Sequence, residues 1–251
     1  MGATIALLSR KGGVGKTSLS IHLAGLLAQD GLRTRLVDLD NQASLTQFFL
    51  GAEATENLAP AATVEALTNG RRPAEVERET RTPNLTIVPA HFRLELPRGT
   101  ELDLSAADVA IQILDTPPDL LNPAIRAALL AANFALSPIV PEIAGIQSIA
   151  SVQRALHATA LASNPGLRLL GYAINLRQRL ASHTAVEQML RRLHGDTVLQ
   201  TTIPSAAAFK EAYLAGRPIH EHDPRSQAAA AIRRLWEECL DRIANATPEA
   251  A

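Results

Sequence analysis

One run of ten residues constrains this chain more than any other: Ser9-Arg10-Lys11-Gly12-Gly13-Val14-Gly15-Lys16-Thr17-Ser18. It follows an apolar stretch, Thr4 to Leu8, that reads as a short buried strand. It precedes Leu19 to Ala28, which reads as a helix. A strand, a glycine-rich turn and a helix in that order form an anion cradle. Glycines let backbone N–H groups turn inward toward phosphate oxygens. The helix N-terminus adds unpaired donors and the positive end of a dipole. Lys16 supplies a full charge near the outer phosphates, and Thr17 offers a hydroxyl to Mg²⁺.

The run departs from the strict phosphate-loop pattern at one position. That pattern wants glycine five residues before Gly15, and this chain has Arg10 there. A second lysine, Lys11, lies inside the loop instead.

Two further stretches end in carboxylates. Arg33 to Leu39 reads as a second strand running into Asp38-Leu39-Asp40-Asn41-Gln42-Ala43-Ser44-Leu45-Thr46. Acidic residues at the carboxyl end of a parallel strand face the crevice where open α/β sheets bind ligands. Val109 to Leu114 is another apolar strand, and it delivers Asp115 ahead of Thr116-Pro117-Pro118. A hard cation such as Mg²⁺ takes oxygen ligands and keeps several waters, which a single strand-end carboxylate can hold.

The rest of the chain continues the alternation. Strands are expected at Leu85 to Pro89, Phe134 to Val140, Arg168 to Leu176 and Thr197 to Ile203. Helices are expected at Asn122 to Ala132, Ile143 to Leu161, Ser182 to Leu193 (with Ser182 as N-cap) and Ser226 to Asn245, before a frayed tail. Thr63 to Thr68 reads as a short helix, and the charged stretch from Arg71 to Arg81 as a solvated face. The region from Ala52 to Arg98 carries little further information. This pattern predicts a single α/β domain over residues 1–251: a mostly parallel twisted sheet of about seven strands with helices on both faces.

Composition sets the limits. The chain has 251 residues, and 47% are hydrophobic but only 3% aromatic, so aliphatic side chains must build the core. A net charge of -1 argues against a globally basic nucleic-acid binder, although the part beyond Ala150 is net basic. The single cysteine, Cys239, excludes an internal disulfide and a Cys-pair metal site within one chain. No apolar run approaches the ~20 residues of a membrane span, and the N-terminus reads as a core strand, so a cytoplasmic protein is expected.

The loop Lys-Gly-Gly-Val-Gly-Lys-Thr resembles the deviant Walker A loop of the ParA/MinD ATPases. The resemblance implies a P-loop NTPase fold and ATP with Mg²⁺ as ligands. Residues 11–18 (Lys11, Gly12, Gly13, Val14, Gly15, Lys16, Thr17, Ser18) would then bind nucleotide, with Lys11 reaching across a homodimer to the partner's ATP. Asp38 to Gln42 resembles the family's Asp-x-Asp-Pro-Gln switch I, with Asn41 in place of proline. That match implies that Asp40 positions or deprotonates the attacking water and that Asp38 lies near the metal. Asp115-Thr116-Pro117-Pro118 resembles the Walker B and switch II segment, making Asp115 the metal-site carboxylate beside Thr17. Asn175 matches a strand-end asparagine that hydrogen-bonds adenine. Ile203-Pro204 opens a segment that wraps the base, with Ser205 where many relatives have arginine.

For a ParA-type member the resemblance implies an ATP-dependent sandwich dimer. It would bind DNA without sequence preference, associate with the nucleoid, and release on hydrolysis triggered by a ParB-like or adaptor protein. Arg191 and Arg192 match DNA-contacting positions, and Lys210 and Arg217 are further candidates. Two other readings stand beside it. A MinD-like membrane-cycling ATPase would need a basic amphipathic C-terminal helix, whereas Ile232 to Ile243 mixes Glu237, Glu238 and Asp241 with its arginines. A binding module without turnover is the third; Lys11, Lys16, Thr17, Asp40 and Asp115 are all present and give no reason to expect inactivity.

Overall fold

The computed structural model describes residues 2–97 and 99–246. The expected frayed tail, Thr247 to Ala251, lies outside the described residues. The strands are β1 (Ala3–Leu7), β2 (Thr34–Asp38), β3 (Arg78–Glu79), β4 (Leu85–Val88), β5 (Ile111–Asp115), β6 (Phe134–Ile139), β7 (Arg168–Arg177) and β8 (Val198–Pro204). They form one eight-stranded sheet in the order β3-β4-β2-β5-β1-β6-β7-β8. All neighbouring pairs are parallel except β3 with β4. The seven expected strands are all present. The eighth, β3, is a two-residue antiparallel edge strand too short to leave a period in the sequence.

The helices are α1 (Lys16–Gln29), α2 (Ser44–Leu50), α3 (Ala52–Glu56), α4 (Pro123–Ala131), α5 (Ile143–Ala162), α6 (Ala181–His194), α7 (Ala207–Leu214), α8 (Ile219–His222) and α9 (Gln227–Ala246). Helix α6 starts one residue before the expected Ser182 cap, after Leu180, with no side-chain cap.

Alternation along the buried strands splits the core in two. Ile5, Leu7, Leu36 and Ile113 face one side, with Leu19, Leu23 and Leu27 of α1 and Ile232, Leu235 and Trp236 of α9. Ala6, Leu8, Val37 and Leu114 face the other, with Ile125, Ala128 and Leu129 of α4 and Ile149 and Val152 of α5. Burying each large aliphatic side chain contributes about 1.5–3 kcal/mol. Helix α9 thus packs its apolar stripe on its own sheet, as its mixed polar face predicted. Among the described residues no helix is long and apolar enough to cross a membrane.

The chain runs from β1 through α1 to β2, beyond β5, and later returns to β6 on the opposite side of β1. The carboxyl end of β1 is therefore the point where strand order reverses, the crevice that open α/β sheets use for ligands.

One internal ion cluster had no signal in the sequence. Arg35, in the middle of β2, is fully buried. Its Nε donates to Glu77 Oε2 at 2.5 Å and its Nη1 to Asp108 Oδ1 at 3.1 Å. Glu77 comes from the charged stretch read as a solvated face. The exposed Arg72 and Glu75 fit that description, but Glu77 turns inward to Arg35 and Thr86.

Candidate nucleotide site

The loop after β1 adopts the backbone that its glycines permit. Gly13 and Gly15 have φ of +73° and +88°, in the left-handed region that other residues avoid. Gly15 also caps α1, so Lys16 and Thr17 occupy the first turn of that helix. A Cβ on Gly15 would lie 2.3 Å from Asn175 Nδ2. This close approach fits a loop drawn tight around a small anion.

A cleft of about 370 Å³ opens over the loop, lined by Gly12, Gly13, Gly15, Lys16, Thr17, Ser18, Asp40, Gln42, Ser44, Pro118 and Tyr213. Lys16 is buried in it, and burial pulls its pKa below the usual lysine value, with Asp115 and Asp40 opposing that pull. Lys11 is exposed, and its side chain meets no partner among the described residues. The two lysines of the loop thus differ in environment: one lies inside the cleft and one is exposed.

Asp115 ends β5 beside β1. Its Oδ2 accepts from Thr17 Oγ1 at 2.7 Å, and its Oδ1 accepts from Ser20 Oγ at 3.2 Å. Burial pushes its pKa up to about 6, against the stabilising Thr17 bond and the Lys16 charge. Thr17 lines the cleft and Asp115 lies buried behind it; a hydroxyl and a carboxylate this close fit the oxygen preference of magnesium. Thr116 turns away, donating to Leu7 O at 2.5 Å.

Asp38 is in register with Asp115 across β2 and β5. Its oxygens are spoken for: Oδ1 accepts from Asp40 N at 3.1 Å, and Oδ2 accepts from Thr46 N at 2.9 Å and Thr46 Oγ1 at 2.7 Å. Thr46 Oγ1 in turn accepts from Ala90 N at 2.9 Å. Burial, then the Asp115 charge, raises Asp38 to about 7. Asp38 therefore ties the loop carrying Asp40 to α2, which the sequence reading did not anticipate. Asp40 itself reaches the cleft, and its Oδ1 accepts from Gln42 N at 3.0 Å.

A second, apolar pocket of about 440 Å³ adjoins the first, lined by Asn175, Leu176, Ile203, Phe209, Lys210 and Tyr213 among others. Asn175 is buried and its Nδ2 donates to Val14 O at 2.8 Å, so it braces the phosphate loop from beside the pocket. Pro204 ends β8 between two lining residues, Ile203 and Ser205.

The basic candidates separate. Arg191 is held within its own fold: it donates to Glu187 Oε1 at 2.9 Å, Leu199 O at 3.0 Å and Gln200 O at 3.1 Å. Lys210 lies at the apolar pocket. Arg192 and Arg217 are exposed, with no side-chain partner among the described residues. Ser20, Thr46 and Tyr213 were missed by sequence reasoning. Only Ser20 had a signal, one helical turn from Thr17 on the same face.

Comparison with known proteins agrees with this geometry. Residues 5–219 match the model of the CobQ/CobB/MinD/ParA nucleotide binding domain. The chromosome-partitioning ATPase Soj of Thermus thermophilus is 34% identical over 256 residues, covering 96% of this chain and 97% of its own. The chromosome partitioning protein ParA of Caulobacter vibrioides is 27% identical, covering 98% and 97%. Cobyrinic acid a,c-diamide synthase of Mycobacterium smegmatis, solved with an ATP analog and magnesium, shares the fold with a TM-score of 0.79 at 23% identity, over 94% and 93% of the two chains. A glycine-braced loop, a buried lysine and a Thr17–Asp115 pair at the reversal point of a parallel sheet thus stand in a chain that belongs to the CobQ/CobB/MinD/ParA nucleotide-binding family, with Soj and ParA ATPases among its relatives.

Proposed function

We propose that this protein is a partitioning or cargo-positioning ATPase acting as one domain, in which ATP closes two copies face to face and hydrolysis opens them. The observation that carries this reading is the contrast between Lys16, buried in the phosphate cleft, and Lys11, exposed on the same loop. A lysine on a phosphate loop with no partner in its own subunit is available to a neighbour's nucleotide, which supports this reading.

The reaction is in-line attack of water on the γ-phosphate of ATP, giving ADP and phosphate. Catalysis is mainly positioning and charge stabilisation. Lys16 and the loop N–H groups hold the phosphates. Thr17 and Asp115 would hold magnesium, which would supply charge neutralisation to the phosphate oxygens. Asp40 orients the water, kept in place by Asp38. Lys11 from the second copy stabilises the transferring group. The apolar pocket beside Asn175 and Pro204 takes the base.

The closed dimer binds DNA through its phosphates, with affinity that falls steeply with salt. Arg192 and Arg217, both free to meet a ligand, lead the candidates. A DNA-bound or adaptor protein triggers hydrolysis. The test is Lys11→Ala in light scattering with Mg²⁺ and a non-hydrolysable ATP analogue. Wild type is expected to dimerise and the variant to remain monomeric while still binding nucleotide. A variant that dimerises and turns over like wild type overturns the sandwich reading.

A further inference from the structure

Tyr213 lies where the two halves of the site meet. Besides Ser18, it is the residue that lines both the phosphate cleft and the apolar pocket. Its place on α7, one turn after Phe209, puts both rings on the same helix face at the pocket. The Tyr213 ring also packs against Phe48 of α2, with centroids 5.4 Å apart and planes tilted by 42°. Phe48 is buried, whereas Tyr213 is 47% exposed.

Helix α2 is short, and Leu45 and Phe48 seat it on the core. It has seven residues, follows Ala43 at φ +50°, and lacks a side-chain N-cap. Its first turn is held by the Thr46 bonds to Asp38, and Asp38 in turn holds the backbone of Asp40. Its buried Phe48 meets Tyr213. A contact path therefore runs from the wall of the apolar pocket through one short helix to the carboxylate that faces the phosphates.

We propose that Tyr213 is a positioning residue that couples occupancy of the base pocket to the placement of Asp40. With the pocket empty, a half-exposed ring on a single aromatic neighbour keeps rotamer freedom. A base seated in the pocket confines the ring against Phe48 and removes slack from α2. Small errors in the placement of a water-orienting group cost rate rather than affinity. The phosphates alone would thus bind without fully ordering the loop. The proposal rests on the nucleotide-site reading above and assigns Tyr213 a role in turnover beyond contact with the base.

The experiment compares steady-state hydrolysis of Mg-ATP and of Mg-tripolyphosphate, which can fill the phosphate cleft but not the base pocket. It uses the full chain as wild type, Tyr213→Ala, Tyr213→Phe, Phe48→Leu and the Tyr213→Ala/Phe48→Leu double variant. Wild type is expected to show a higher kcat on ATP than on tripolyphosphate. Tyr213→Ala should lower kcat on ATP about tenfold, with a smaller change in KM, and lower tripolyphosphate hydrolysis far less. Tyr213→Phe should restore the rate. Phe48→Leu should lower kcat with unaltered ATP affinity, and the double variant should be no slower than the worse single one. A Tyr213→Ala enzyme that changes KM alone, or equal losses on both substrates, overturns the proposal. Wild type that binds no ATP instead sinks the nucleotide reading beneath it, and a direct binding titration separates that result from the others.

Discussion

The hydroxyl of Thr17 donates to Asp115 Oδ2 over 2.7 Å, joining the first turn of α1 to the end of β5 across 98 residues of sequence. Neither residue alone makes a cation site; the proposed function assigns that role to the pair. Asp115→Asn keeps the size and an acceptor oxygen but removes the charge. ATP binding titrated with and without Mg²⁺ should then lose about 10–100-fold of its magnesium enhancement. Full enhancement in the variant would move the metal to other ligands.

Gly15→Ala tests the shape of the loop. The new methyl would have to accept φ of +88° and a 2.3 Å approach to Asn175 Nδ2. The amide of Asn175 would have to leave Val14 O, which it now holds at 2.8 Å. The left-handed conformation alone costs about 1–2 kcal/mol. Nucleotide affinity, followed with a fluorescent ATP analogue, should fall at least about tenfold. Unchanged affinity would mean that the loop tolerates a wider path.

The buried Arg35 cluster should behave as a unit. Arg35→Leu leaves the largely buried Glu77 with only Thr86 and the exposed Arg33 and should destabilise the fold by about 3 kcal/mol in urea unfolding. Asp108 is more exposed and adds little. The Arg35→Leu/Glu77→Leu double variant should recover part of that loss. A double variant as unstable as the sum of its singles would show that the two residues act independently.

Stability should fall in mild acid because of His22. Burial, with the nearby His220 adding to it, drops its pKa to about 3, and its Nδ1 accepts from Ile219 N at 3.0 Å. In the unfolded chain the same ring titrates at its ordinary value of 6.5. Below that value the unfolded state takes up a proton that the folded state refuses, so folding loses free energy as pH falls from 6.5 toward 3. Between pH 6.5 and 5 the loss from this group is about 1.5 kcal/mol. His22→Gln keeps a neutral acceptor and should flatten the pH dependence of denaturant midpoints across that window. An unchanged slope would assign the acid sensitivity to other groups.

The phosphate loop, the carboxylates Asp40 and Asp115, and the alternation of strands and helices are legible in the order of residues alone. Those features are local: a glycine turn, a strand end and a helix start carry their chemistry within a few neighbouring residues. Tertiary structure alone decided that Arg35 meets Glu77, that Thr46 fastens Asp38, that Glu187 and two β8 carbonyls occupy Arg191, and that Tyr213 packs on Phe48. Most of these partners lie within a few dozen residues in the chain and one pair, Tyr213 and Phe48, more than a hundred apart, yet in each case composition and spacing leave many partners open. Packing selects one, because a buried charge or polar group must find its counterpart wherever the sheet and helices bring it.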